Sequence, residues 1–139
     1  MYANPIHPGH IECLELSKEL GDELWVIVNS DHQAFLKRGV PSFQDESFRM
    51  KVVSAIKPVD RVLLSIDEDA SVCKSISLLH EEASKLNPGC QLIFAKGGDR
   101  FANEIPERRV CEELGIKIVD GLGQKIYNSS DMLAKAQSK

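Results

Sequence analysis

The sequence lacks an apolar run long enough to span a membrane, and it has no signal peptide at its start. It also lacks a long basic run, and its 139 residues carry a net charge of −4, which argues against general nucleic-acid binding. These absences predict a protein of the cytoplasm that binds neither a membrane nor nucleic acid.

Cysteine spacing gives no sign of a metal site. The four cysteines stand far apart and form no C-x-x-C pair, which argues against a zinc site: Cys13, Cys73, Cys90 and Cys111. We interpret them as small core residues or free thiols of a reducing compartment. No G-x-G-x-x-G loop follows a first strand, which argues against the alternative of a dinucleotide-binding or flavodoxin-like redox domain.

Strand and helix signals alternate along the chain. Short continuous apolar runs predict strands at residues 24–28, 61–65, 92–95 and 116–119. Helical spacing of apolar residues predicts helices over 11–20, 46–56, 72–86, 104–114 and 129–136. With 42% hydrophobic and 27% charged residues, the chain is expected to form a single α/β domain over residues 1–139, with a parallel sheet.

Polar and glycine-containing segments follow the predicted strands. Residues 29–31, 96–100, 121–125 and 128–130 follow strands, where the carboxyl ends of a parallel sheet hold ligands. With residues 7–10, they are expected to surround one pocket. Its glycines, helix starts, histidines and cations suit phosphates better than an apolar ligand.

The quartet His7-Pro8-Gly9-His10 is the sharpest motif of the chain. Only a Pro-Gly pair separates the two histidines, so both rings can face one small site at the start of a helix. Gly9 has no Cβ and allows a ligand to approach the backbone. Imidazoles and a helix start can both stabilise a phosphate that gains charge in a transition state. The competing interpretation is a pair of ordinary surface or core histidines.

These motifs together resemble the cytidylyltransferase family of small nucleotidyltransferases, which has a Rossmann-like fold with helices on both faces of a parallel sheet. Residues 4–10 resemble its H-x-G-H signature, and residues 129–133 resemble the motif that starts its last helix. Lys37 stands where the family has a lysine on the loop after the second strand. Arg49 stands at the position of an E-x-R-like arginine. Glycerol-3-phosphate cytidylyltransferases and the adenylyltransferase domain of ADP-heptose synthases share these features.

The resemblance implies a reaction. A nucleotidyltransferase would join the nucleoside monophosphate of ATP or CTP to a phosphorylated small molecule, such as a sugar or polyol phosphate, and release pyrophosphate. The acceptor phosphate is itself a nucleophile, so catalysis is positioning and charge stabilisation. Mg²⁺ is expected with the triphosphate, held by phosphate oxygens and water rather than by a protein cluster. A homodimer is a further expectation.

The resemblance and the position of each residue also suggest roles. Three residues are candidates for catalysis: His7, His10 and Lys37. Five are candidates for nucleotide binding: Asn4, Gly9, Arg49, Ser129 and Ser130. Of these, Arg49 could either brace a loop or contact phosphate. Four are candidates for contact with the acceptor: Asp31, Gly98, Asp99 and Arg100.

Two departures from the family pattern leave alternatives open. Asn4 stands where the family has an acid, and the family's first strand lies before Met1, so that strand is truncated here. Either the sequence starts late, or another segment or chain fills the gap. A nucleotide-binding regulatory module with an inactive site is therefore the alternative function.

Overall fold

Helices and short strands alternate in the computed structural model, which describes residues 1–3, 5–97 and 106–122. The elements are α1 (Pro8–Lys18), β1 (Trp25–Val28), α2 (Asp31–Arg38), α3 (Glu46–Ser54), β2 (Arg61–Leu64), α4 (Cys73–Leu86), β3 (Ile93–Gly97), α5 (Glu107–Leu114) and β4 (Lys117–Leu122). None of these described helices has the length and apolar character needed to cross a membrane. The predicted helix over 129–136 lies outside the described residues. So do six predicted site residues: Asn4, Gly98, Asp99, Arg100, Ser129 and Ser130.

The strands pair in parallel, as predicted. β1 pairs with β2, with Trp25 opposite Arg61, and β3 pairs with β4, with Ile93 opposite Lys117. Parallel neighbours need a crossover between them, and helices of the chain supply it. The α/β class with parallel strands is confirmed.

The arrangement of the strands differs from a single continuous sheet. The described strands form two separate pairs, and β1 and β3 both line one large cavity. At one end of it, the Met1 amino group donates to the Ile27 carbonyl at 2.7 Å, and the Asn29 N–H donates to the Met1 carbonyl at 3.0 Å. These two bonds are those of a parallel bridge between Met1 and Val28. Met1 therefore lies along the edge of β1, where a strand edge offers free backbone groups.

Two apolar clusters pack the elements together. The first combines the chain start, α1, β1 and α3 through Ala3, Leu14, Val26, Val28 and Val53. The second joins α4 and α5 to the residue that precedes β4, through Ile76, Cys111 and Ile116. The first cluster anchors the segment before α1, so it fixes the position of the histidine quartet.

Helix α2 was not predicted, and the placement of Lys37 on a loop was wrong. Ser30 begins this helix, because its hydroxyl accepts from the Gln33 N–H at 3.2 Å and the Gln33 side chain accepts from the Ser30 N–H at 3.0 Å. Gly39 ends it in a left-handed conformation, with φ of 74°. This reciprocal cap makes residues 31–38 helical and places Lys37 in the last turn.

Candidate active site

The two histidines of the quartet cap helix α1 with their side chains. His7 is the N-cap residue, and its Nδ1 accepts from the Gly9 N–H at 3.0 Å. The His7 N–H in turn donates to Nδ1 of His10 at 3.0 Å. Pro8 occupies the first helical position, where its missing N–H costs nothing. The helix therefore starts three residues earlier than the predicted Ile11.

This cap determines which ring nitrogens remain for a ligand. A neutral imidazole has one nitrogen that accepts and one that donates. Because Nδ1 accepts a backbone N–H in both His7 and His10, the proton of each neutral ring is on Nε2. The ring centroids lie 3.9 Å apart, and both residues line the cavity. The pair therefore presents two N–H donors side by side.

His10 keeps this neutral form at ordinary pH. Burial is the main cause that lowers the pKa of His10 from 6.5 to about 4, and electrostatic repulsion within the His7–His10 pair adds to it. His10 is therefore a hydrogen-bond donor through Nε2 and not a cation in the ligand-free protein. A bound anion would favour the charged form and raise this pKa.

The backbone of α1 contributes less to anion binding than its sequence suggests. Pro8 has no N–H, the Gly9 N–H is taken by His7, and the His10 N–H donates to the His7 carbonyl at 2.9 Å. The backbone N–H groups of Gly9 and His10 thus already have hydrogen-bond partners within the first turn of α1. The two Nε2–H groups take their place as the groups that can meet a phosphate.

Lys37 reaches the same cavity from helix α2. Its side chain is exposed, and its ammonium lies 4.3 Å from the centroid of the Tyr2 ring. Together with His7, Gly9 and His10 it lines a cavity of about 1810 Å³. The structure thus brings together four of the predicted site residues. Of the predicted rim at residues 96–100, Lys96 also lines the cavity.

Arg49 has a different position from the other predicted cations. Its side chain is 0% exposed, and its guanidinium donates to the carbonyls of Gln44, Tyr2 and Asn29 at 2.7–2.9 Å. It also forms an ion pair with Asp31 at 2.9 Å. Of the two roles considered for Arg49, this geometry favours the brace over direct contact with phosphate.

Asp31 is engaged in the same brace. Its carboxylate accepts from Arg49, and its N–H donates to the Glu46 carboxylate at 2.9 Å. The side chain remains 42% exposed, but Asp31 is not among the residues that line the cavity. The polar contacts of Asp31 are thus with α3, through Arg49 and Glu46.

Three buried polar residues that the sequence analysis missed hold the cavity wall at residues 67–72. Gln33 donates to the carbonyls of Asp69 and Ser71 at 2.8 and 2.7 Å, and Glu107 accepts from the Val72 N–H at 3.0 Å. Asp67 accepts from the first N–H groups of α4, those of Lys74 and Ser75, at 2.8 and 2.9 Å. The S-x-x-Q spacing at Ser30 could have revealed Gln33. Asp67 and Glu107 act over longer separations that leave no local signal.

Metal-ligating residues do not gather in the part of the chain that the structure describes. Among residues 1–3, 5–97 and 106–122, no three His, Cys, Asp or Glu side chains form a group that could hold a metal ion. The four cysteines are free thiols, and burial raises the pKa of Cys111 to about 11. This thiol is therefore protonated and unreactive at neutral pH.

Comparisons with known proteins relate the chain to one family. The family model described as cytidylyltransferase-like matches residues 3–124. The chain is 52% identical over 111 residues to a FAD synthase of Thermoplasma acidophilum, covering 80% of this chain and 69% of the relative. A FAD synthase of Methanocorpusculum labreanum is 27% identical over 94% of this chain and 87% of its own.

A solved structure has the same fold. The lipopolysaccharide core biosynthesis protein from Thermoplasma volcanium matches with a TM-score of 0.65 and 28% sequence identity. The match covers 86% of this chain and 89% of that protein. The Rossmann-like fold expected from the resemblance is confirmed.

Proposed function

Because the chain belongs to the cytidylyltransferase-like family and is a nucleotidyltransferase, we propose that it transfers the adenylyl group of ATP to FMN and releases pyrophosphate. The relatives named FAD synthase support FMN as the acceptor. FMN carries its phosphate on a polyol chain, so it falls within the polyol phosphates expected from the sequence.

The paired imidazoles carry the proposal. His7 and His10 present adjacent Nε2–H donors on a cavity that Lys37 also lines. Three donors of this kind match a triphosphate, whose oxygens are the groups that gain charge during transfer. The cavity volume of about 1810 Å³ leaves room for a nucleotide and an acceptor together.

The proposed reaction needs no nucleophile from the protein. An oxygen of the FMN phosphate forms a bond to the α-phosphorus of ATP, while the bond from that phosphorus to the α–β bridging oxygen breaks. The electron pair leaves with pyrophosphate. His7 and His10 donate to the phosphate oxygens as this charge develops, and Lys37 neutralises the β-phosphate side.

Mg²⁺ enters this scheme as part of the substrate. We expect the ion to be held by oxygens of the triphosphate and by water. Chelation by EDTA is expected to stop pyrophosphate release without unfolding the protein.

A sugar phosphate is the second candidate acceptor, because the structural neighbour is named for lipopolysaccharide core biosynthesis. Pyrophosphate release, measured with ATP or CTP against FMN, glycerol 3-phosphate and a sugar phosphate, separates these candidates. We expect release with ATP and FMN. Pyrophosphate release only with a sugar phosphate would show that the sugar phosphate, and not FMN, is the acceptor. Triphosphate binding without pyrophosphate release would favour the regulatory module.

A further inference from the structure

We infer that Tyr2 is a positioning residue, which holds the Lys37 ammonium in place at the cavity before a triphosphate arrives. The inference rests on the proposed function, because it takes Lys37 as a phosphate-binding group. It concerns a residue that no motif in the sequence marked.

The contact between the two side chains is direct. The Lys37 ammonium lies 4.3 Å from the centroid of the Tyr2 ring, within the distance of a cation–π interaction. Lys37 belongs to the exposed last turn of α2, and both residues line the cavity. The ring therefore lies beside the Lys37 ammonium on the surface that a ligand would meet.

The backbone on both sides of Tyr2 is fixed. The Met1 carbonyl accepts from the Asn29 N–H, and the Tyr2 carbonyl accepts from the buried Arg49 guanidinium at 2.9 Å. Ala3 follows in a left-handed conformation, with φ of 51°, and is 2% exposed within the core. A non-glycine residue keeps this conformation only where its surroundings enforce it. The backbone that carries the Tyr2 ring is thus held in place from both sides.

Lys37 has more rotatable side-chain bonds than Tyr2. A lysine has four rotatable side-chain bonds, and ordering it on binding costs conformational entropy. An aromatic ring that already holds the ammonium reduces this cost before the ligand binds. Removal of the Tyr2 ring should therefore weaken the binding of the triphosphate, and this weakening should occur only when Lys37 is present.

A double-mutant cycle tests this dependence. Tyr2→Leu removes the ring, and the size of an exposed cation–π contact predicts a rise of roughly two- to fivefold in the Kd and KM for MgATP, with kcat unchanged. Tyr2→Phe keeps the ring and should restore the parent values. In the Lys37→Met background, Tyr2→Leu should have no further effect. An equal effect with and without Lys37, or no effect of Tyr2→Leu, would overturn the inference.

NMR of the ligand-free protein gives a readout that does not depend on activity. The Lys37 ε-methylene protons should be shifted upfield by the ring in the parent protein and in Tyr2→Phe, and should lose this shift in Tyr2→Leu. An unshifted Lys37 signal in the parent protein would contradict the inference. If the ring shift and the MgATP affinity cycle hold but no acceptor yields pyrophosphate, the proposed transfer fails while the role of Tyr2 stands.

Discussion

The backbone N–H of His7 donates to Nδ1 of His10 at 3.0 Å, so one histidine begins a helix and the other completes its cap. The third position of a capping box usually holds Glu or Gln. Here an imidazole takes that place, and its second nitrogen remains a donor towards the cavity. The helix start and the proposed phosphate-binding site therefore share the same two side chains.

Variants that keep the cap separate these two roles. His7→Asn and His10→Gln retain a side-chain acceptor for the helix start but lose the imidazole N–H. Each should lower kcat by on the order of 10²–10³, the usual effect of losing one transition-state donor. Alanine at either position should also reduce the free energy of unfolding by about 0.5–2 kcal/mol, because the cap is lost.

Steady-state kinetics and thermal unfolding measure both effects. His32→Gln is the matched control, since His32 is exposed on α2 and does not line the cavity. Turnover in His7→Asn equal to that of the His32 control would exclude an imidazole role in transfer.

Stability should depend on pH through His10. Its pKa is about 4 in the folded protein and 6.5 ordinarily, so between these values the unfolded chain binds more protons than the native state. The contribution of His10 is fully present above about pH 6.5 and is lost as the pH falls through 4. Urea unfolding across this range should show stability falling with acid.

The His10→Gln variant isolates this contribution. The Met1 amino group, whose pKa burial lowers to about 5, acts in the same direction but is present in both proteins. The parent should therefore lose more stability than the variant between pH 6.5 and 4. Parallel stability curves for the two proteins would show that His10 does not titrate as the structure indicates.

Arg49 should matter for stability as well as activity. Arg49→Met removes the donor to buried carbonyls of Tyr2 and Asn29, and each unsatisfied group costs about 1–3 kcal/mol. Asp31→Asn keeps an acceptor at a partly exposed position and should cost much less. Equal unfolding midpoints in urea for Arg49→Met and Asp31→Asn would contradict the brace.

Lys37 should act on triphosphate binding. Lys37→Met is expected to raise the KM for ATP, because a cation beside the β-phosphate is lost, while the unfolding midpoint stays near that of the parent. Lys51→Met, on the exposed surface of α3 and away from the cavity, is the matched control. A Lys37→Met enzyme with the KM of the Lys51 control would remove Lys37 from the site.

The sequence predicted most elements because their signals are local. The helix predicted from residue 46 begins there as α3, because the Asp45 carboxylate accepts from the Phe48 N–H at 2.8 Å. The helix predicted to end at residue 114 does so as α5, because Gly115 follows in a left-handed conformation with φ of 71°. Helix α2 was missed because its strongest signal is the reciprocal bond between Ser30 and Gln33, and not an apolar repeat.

The site was predictable only in part. The H-x-G-H spacing indicated the two histidines, but the tautomers follow from hydrogen bonds that appear only in the folded chain. The buried Arg49 bonds to carbonyls that lie 47 and 20 positions away in the sequence, and the ring of Tyr2 contacts Lys37 on a separate element. No local sequence pattern encodes contacts over such separations. The homodimer stays a prediction that light scattering would test.

Transfer of label from ATP to FMN is the most direct test of the proposed adenylyl transfer. With ATP labelled at the α-phosphate, Mg²⁺ and FMN, we expect the label to appear in FAD together with an equal amount of pyrophosphate. His7→Asn, which keeps the helix cap, should reduce both products to the same extent. Parent enzyme that binds ATP yet leaves all label in ATP, with FMN and with each alternative acceptor, would contradict the account.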